Sequence, residues 1–468
     1  MPATDRTIFS FIVDDDPIFL YEGWHLARSL IEHCGGDPSA IFVQCTPEVP
    51  EGRRAIFRDL GCRVQQIARF GDGRHCNKLN QLDNLNAFEF DRAVLLDTDT
   101  IALSDLRPFL SDAAIVGKIV DVDNPPLHIL EEIAVASGLP SLPPVCKTDA
   151  GTAETYIGNC NGGFYSVPKA FCESLSTEWR RWALWLLDNI EPLARVGKTM
   201  HVDQVSFWLA VHHSKLPFEI APSNVNYYVH IADEPKYFDK ARPVVLLHYH
   251  DSSLDVVGLI RPRIDPNPTG RAAVVAANGQ IGDGFDNRVF WELRYKRFPE
   301  RGSGVGSHGD NLLYKRQLLK EHGVEAAASV LDFGCGDLEV VKELAIRRYV
   351  GIDQSSVALA LARRARPDWE FRLAGEPGVQ PAEMVLCFEV LIHQKTEAAY
   401  RAVIGFLAEN TLGTLLVSGF AADSEAIRRN PMVFFHEPLE TSLRRTGRFK
   451  HIQQVGAHTS VVVYLCEV

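Results

Sequence analysis

Arg92-Ala93-Val94-Leu95-Leu96-Asp97-Thr98-Asp99-Thr100 is an apolar run that ends in two carboxylates one residue apart. Much further along, Ser329-Val330-Leu331-Asp332-Phe333-Gly334-Cys335-Gly336 is a second apolar run opening into glycines, and Gly351-Ile352-Asp353 closes a third. Short apolar runs bounded by turn-forming residues read as buried strands. In open α/β sheets, ligands gather beyond the carboxyl ends of such strands. The chain therefore reads as two α/β domains in series, each with its own site.

Its length of 468 residues agrees, because single cores rarely grow much beyond ~150 residues. The composition, 46% hydrophobic and 23% charged, is that of a globular chain and excludes a disordered one. A net charge of −12 with no basic run argues against a nucleic-acid partner. Met1-Pro2-Ala3-Thr4-Asp5-Arg6 lacks the basic-then-apolar pattern of a leader. The apolar runs stop well short of the ~20 residues that span a bilayer, so no transmembrane segment is expected. The ten cysteines are scattered with no Cys-x-x-Cys pair, which fits buried thiols in a reducing, cytoplasmic setting.

Working outward from the Asp-x-Asp stretch, residues 8–13, 41–45, 63–67, 93–97, 114–121, 163–167 and 244–249 read as strands. Residues 19–33 and 179–187 read as helices, with Trp179, Trp182 and Trp185 as core. Pro262, Pro266 and Pro268 followed by Gly279, Gly282 and Gly284 predict a linker over 263–289. It separates a first domain, 1–262, from a second, 290–468. The second carries strands at 329–334, 349–353, 369–373, 383–389 and 413–419. A terminal pair at 450–454 and 460–466 completes a doubly wound sheet with an antiparallel edge.

The paired carboxylates Asp97 and Asp99 suit a hard divalent ion, Mn²⁺ or Mg²⁺, bridging to a diphosphate, although such pairs also serve as turn residues. Gly158-Asn159-Cys160-Asn161-Gly162-Gly163 is a polar, glycine-rich approach to a strand, suited to sugar hydroxyls or to a tight turn. His201-Val202-Asp203-Gln204 begins a helix, where Asp203 could also be a cap. His248 and His250 end another strand on one face, and either could be a metal ligand.

With these residues in this order, the first domain resembles the GT-A glycosyltransferases, especially glycosyltransferase family 8. The resemblance implies a GT-A nucleotide-sugar-binding fold with Asp97, Asp99 and His248 on the metal. It implies Thr98, Asn161, Gly162 and Gly163 beside the donor, and Asp203 and Gln204 as catalytic groups. It further implies Val13, Asp14 and Asp15 at the nucleobase and Lys78 at the ribose or phosphates. Where the family follows its late histidine with Gly and then Lys-Pro-Trp, this chain has Ser252-Ser253-Leu254.

In the second domain, Asp332-x-Gly334-x-Gly336 stands between a strand and an expected helix, and Asp353 ends the next strand, placed for ribose hydroxyls. A dinucleotide would also fit such a loop. The leading Asp332, the internal Cys335 and the terminal strand pair resemble the class I methyltransferases, with Leu338 where that family has a third glycine. The resemblance implies a Rossmann-like seven-stranded fold and S-adenosyl-L-methionine held by Asp332, Gly334, Cys335, Gly336, Asp353, Cys387 and Phe388. It places Glu376 near the adenine and His393 on the acceptor side, as base or as packing residue. The stretch Trp291, Arg294, Tyr295 and Gly302–Ser307 is similar to methyltransferases of surface-polysaccharide synthesis.

Together the resemblances imply a bifunctional enzyme that transfers a sugar from a nucleotide sugar to a saccharide or glycan acceptor and O-methylates a saccharide. A lipid-linked acceptor would bring it to a membrane surface. The competing readings are a methyltransferase whose first domain only binds saccharide or nucleotide sugar, and a scaffold with both sites degenerate.

Overall fold

The computed structural model describes residues 6–250 and 253–468. It divides into two compact units, Met1–Asp255 with Leu259–Ile281, and Val256–Gly258 with Gly282–Val468.

In the first unit the strands are β1 (Thr7–Val13), β2 (Ile41–Cys45), β3 (Arg63–Gln66), β4 (Arg92–Leu96), β5 (Thr100–Ala102), β6 (Ile115–Ile119), β7 (Val145–Lys147), β8 (Glu154–Tyr156), β9 (Cys160–Pro168), β10 (Phe218–Ile220), β11 (Tyr227–Tyr228) and β12 (Leu246–His248). Seven form one sheet in the order β10-β6-β9-β4-β1-β2-β3, with β9 antiparallel to both neighbours. The central strands β1, β2, β4 and β6 are almost wholly buried, whereas the edge strands β3 and β10 are partly exposed. The helix Pro17–His33 starts on Asp16, whose carboxylate accepts from Ile18 N at 3.0 Å, with Pro17 at the first helical position. The helix Lys169–Asp188 buries Trp179 against Tyr165 and Phe207 and Trp182 against His213, while Trp185 packs only partly, so the tryptophans are core as expected.

A second sheet, β11-β12-β5, positions the site. After β4 the Thr100 hydroxyl donates to Asp97 O at 2.7 Å, turning the chain out of the large sheet and into β5. There β12 runs antiparallel to β5, with His248 opposite Thr100, and β11 runs parallel to β12, with Tyr228 beside His248. That register carries His248 to the Asp-x-Asp turn.

The second unit contains β13 (Val330–Phe333), β14 (Tyr349–Asp353), β15 (Glu370–Leu373), β16 (Ala382–Cys387), β17 (Thr411–Gly419), β18 (His451–His458) and β19 (Val461–Glu467). Their order is β15-β14-β13-β16-β17-β19-β18, five parallel strands followed by an antiparallel pair. Chain direction through the sheet reverses at β13, opening a crevice beyond its carboxyl end.

The segment read as a linker contains a helix, Pro268–Asp283, because proline is well tolerated at a helix start. The helix expected after Gly336 is not formed, and residues 339–343 run as turns. Leu338, in left-handed backbone at φ 66°, breaks the helical path there. Cys335 sits in the loop just past β13. All ten cysteines are free thiols, and all but Cys146 are buried. Among the described residues no helix is long and apolar enough to cross a membrane.

Candidate functional sites

In the first unit the polar groups beyond the carboxyl end of β4 and at the adjacent amino end of β9 fall into two adjoining clusters. In one, Lys78 is buried, is ion-paired with Asp97 and donates to Gly162 O at 2.7 Å. A Cβ on Gly162 would lie 3.0 Å from Lys78 Nζ, 3.4 Å from Asp203 Oδ2 and 3.5 Å from Gln204 Nε2. Three of the expected residues, Lys78, Asp203 and Gln204, thus meet over a fourth, Gly162. Burial pushes the Asp203 carboxyl up to about 6, with Lys78 opposing and Asp97 adding to the rise. Its Oδ1 has no hydrogen-bond partner among the described residues. The carboxylate stands in the first turn of the helix Val202–His213, where the macrodipole favours an anion.

The other cluster is Asp99, His248 and His250, whose candidate ligand atoms lie within 4.8 Å of one another. His248 Nε2 is 3.2 Å from Asp99 Oδ1, and His250 Nδ1 is 3.6 Å from Asp99 Oδ2. Burial works against the charged form of Asp99, but the two imidazoles hold its carboxyl far below the usual range. One carboxylate and two imidazoles suit a divalent transition ion. His250 Nδ1 is the nitrogen turned toward the carboxylate, and the buried Nε2 has no hydrogen-bond partner among the described residues.

Other expected residues have different work. The Thr98 hydroxyl donates to Glu22 Oε2 at 3.0 Å and is buried, so it faces the protein and not a donor. Asn161 is engaged on both sides: its Nδ2 donates to Asp121 Oδ2 at 3.0 Å, and its Oδ1 accepts from Gly163 N at 2.9 Å. A Cβ on Gly163 would fall 2.7 Å from His248 Nδ1, so that glycine admits the imidazole. At the end of β1, Val13 is buried, Asp14 binds Arg69 and Thr46, and Asp15 pairs with Arg53. Asp121, Asn226 and His230 were missed by the sequence reading, since nothing in their local pattern marks them.

In the second unit a cavity of about 160 Å³ opens beyond β13. Asp332, Gly334, Cys335, Asp353, Phe388 and His393 line it, together with Trp291, Tyr295, Ser303 and Ser307. Gly334 has φ 84°, and a Cβ there would come within 2.1 Å of Val390 Cγ2. Gly336 has φ 57°, its N donates to Asp353 Oδ2 at 2.9 Å, and Asp353 Oδ1 accepts from Ser355 N at 2.8 Å. The glycines therefore let the loop fold back onto the acid that ends β14. Burial pushes Asp353 up to about 6 and Asp332 up to about 7, the latter opposed by the Tyr349 hydroxyl, which donates to it at 2.8 Å.

His393 sits in a short turn after β16, its Nδ1 2.7 Å from Met432 O. A carbonyl only accepts, so Nδ1 carries the proton and Nε2 keeps its lone pair. Burial lowers its pKa below the ordinary imidazole value. Its neighbour Glu389, in left-handed backbone at φ 55°, also lines the cavity and pairs with buried Lys315 and with His458 Nε2 at 2.9 Å. The sequence reading missed this trio. Cys387 does not join the site: it is wholly buried in the apolar core with Val385 and Val417. Glu376 is exposed, and Ala374 lines the cavity in its neighbourhood.

No protein-family model matches the chain, and no curated protein matches it. Among solved structures, it is similar to magnesium protoporphyrin IX methyltransferase from Synechocystis with bound SAM, at 17% identity and a TM-score of 0.31, over 39% of this chain and 97% of that one. It is also similar to the N-methyltransferase NodS from Bradyrhizobium japonicum in complex with S-adenosyl-L-homocysteine, at 15% identity and 0.31, over 39% and 98%. A third is the N-terminal domain of EvdMO1 in the presence of SAH and D-fucose, at 15% identity and 0.27, over 34% and 84%.

Proposed function

We propose that the chain is a bifunctional transferase, a metal-dependent glycosyltransferase joined to an S-adenosyl-L-methionine-dependent O-methyltransferase that act on a saccharide or glycan. The observation that carries this reading is the presence of two separate polar constellations, each at the carboxyl edge of its own sheet and each built from strand-end carboxylates.

In the first unit the sheet order, with one antiparallel strand beside β4, supports a GT-A nucleotide-sugar fold. Asp99 and His248 would hold a divalent ion, which as a Lewis acid would stabilise a nucleoside diphosphate leaving group. Lys78 offers a cation beside the same place. Asp203, buried and with its carboxyl pushed up by that burial, is the carboxylate for the reacting sugar or its acceptor hydroxyl, and Gln204 offers an amide next to it. In the second unit the glycine loop gives the methyl donor close backbone approach, and Asp353 is placed for its ribose. His393 Nε2 is the group to receive the proton of the acceptor hydroxyl.

Binding of S-adenosyl-L-methionine, and of UDP with Mn²⁺, tests the two halves separately, and a screen of donor hydrolysis over nucleotide sugars then identifies the sugar. Replacing Asp97 and Asp99 together by Asn is expected to abolish sugar transfer and to leave S-adenosyl-L-methionine binding unchanged. Metal-independent transfer by the unaltered protein would overturn the first half.

A further inference from the structure

A carboxylate can only accept hydrogen bonds, and that one-way chemistry can be followed from Asp121 to His248. Lys118, buried, is ion-paired with Asp121 and lies 2.9 Å from Asp149 Oδ2. Because Asp121 Oδ2 accepts, the group that Asn161 turns toward it at 3.0 Å must be the amide NH₂. Asn161 Oδ1 then faces the other way, accepting from Gly163 N at 2.9 Å and from Asn226 Nδ2 at 3.0 Å. That leaves Asn226 Oδ1 toward His248 Nδ1, 2.9 Å away. An amide oxygen has no proton to give, so His248 Nδ1 carries it. In the neutral ring the lone pair is on Nε2, which points at Asp99.

The ring nitrogen that the relay leaves uncommitted, His248 Nε2, is thus 3.2 Å from Asp99 Oδ1, where one metal ion could be shared by both atoms. A second imidazole faces the same carboxylate, since His250 Nδ1 is 3.6 Å from Asp99 Oδ2. His250 is held there in left-handed backbone at φ 58°, strain that a packing histidine does not need. Asp97, the other carboxylate of the pair, is outside the cluster because it is ion-paired with Lys78.

We propose that Asp99, His248 and His250 are the three protein ligands of a divalent transition-metal site, with His250 taking the place expected of Asp97, and that Asn226, Asn161 and Asp121 are the outer relay that fixes the His248 tautomer. The proposal deepens the glycosyl-transfer reading and rests on it for its purpose. Two imidazoles with one carboxylate rank Mn²⁺, Co²⁺ and Zn²⁺ above Mg²⁺, which prefers an all-oxygen shell. Relays of this kind orient a histidine ligand, and their loss weakens a metal by roughly 10–100-fold.

The test uses the full chain and the metal alone, without nucleotide. Calorimetric titration is expected to rank Co²⁺, Zn²⁺ and Mn²⁺ at least about tenfold above Mg²⁺. Pulsed EPR of the Mn²⁺ complex is expected to show two imidazole nitrogens, a readout that needs no variant. His250→Ala should leave one nitrogen and weaken binding about tenfold or more, and Asn226→Ala should weaken it within the outer-relay range while keeping both nitrogens. Asp97→Asn should change metal-alone affinity by no more than about twofold, its carboxylate being committed to Lys78. If a variant fails to fold, the nitrogen count and metal ranking of the unaltered protein decide. A single nitrogen, a preference for Mg²⁺, or loss of metal in Asp97→Asn with none in His250→Ala would overturn the assignment. A protein that binds metal through two nitrogens but transfers no sugar would sink the transfer reading and leave the metal site standing.

Discussion

At the scale of single residues, His393 shows how one hydrogen bond assigns a role. Its Nδ1–H is committed to Met432 O, so the free lone pair is on Nε2, in a ring that lines the cavity beyond β13. His393→Ala is expected to slow methyl transfer by ~10²–10⁴-fold, the usual worth of a positioned base, while the affinity for S-adenosyl-L-methionine changes only a few-fold. Because burial lowers the imidazole pKa, the rate should rise with pH through a value below the ordinary ~6.5. Normal turnover in the variant would return the residue to packing. Asp332 supports a different prediction. Burial lifts its carboxyl to about 7 in the folded protein, against ~3.9 when unfolded. The native state therefore binds the extra proton, and the stability this contributes is complete below the unfolded value and is lost as pH rises through about 7. Asp332→Asn keeps an oxygen for the Tyr349 hydroxyl and removes the buried charge. Its melting temperature should exceed that of the unaltered protein at pH ~8 and approach it at pH ~5, a comparison that scanning calorimetry makes directly. A lower melting temperature for the variant at pH ~8 would contradict the account. Asp97, Asp99, Asp332 and Asp353 were legible in the sequence because each ends an apolar strand. The true surroundings of Thr98, Asn161 and Cys387 were not, since their partners, Glu22, Asp121 and the core residues of other strands, are distant in sequence.

At the scale of elements, the turn after β13 is decided by two glycines. Gly334 adopts a left-handed conformation that costs other residues ~1–2 kcal/mol, and any side chain there also collides with Val390. Gly334→Ala is accordingly expected to cut S-adenosyl-L-methionine affinity by at least ~10-fold, with the binding isotherm as readout; unchanged affinity would show that the loop does not set the pocket. The glycine spacing made this turn legible. The missing helix after it was not, because Leu338 has no local signal for its left-handed backbone, which only the surrounding packing imposes. The helix Pro268–Asp283 was misread for the opposite reason: proline and glycine suggest a break on average, yet a proline at the helix start costs nothing.

At the scale of the molecule, the division near residue 281 predicts separable halves. A fragment Gly282–Val468 is expected to fold and bind S-adenosyl-L-methionine. A fragment starting at Asp286 should be weaker, because it lacks Phe285, buried against Phe290 and Phe434 with ring centres at 5.3 and 5.8 Å. The loss of such a ring costs about 3 kcal/mol, readable as a lower denaturation midpoint. Equal midpoints would show that Phe285 contributes nothing to this core. The sequence by itself determined that there are two α/β units, where most of their strands run and which carboxylates stand at strand ends, because hydrophobic periodicity and turn chemistry are local properties of a chain. Only the tertiary structure decided what those carboxylates face: Asp97 a lysine, Asp99 two imidazoles, Asp353 a glycine amide. Sheet order and strand register bring such partners together across long stretches of chain, and no local pattern encodes that pairing.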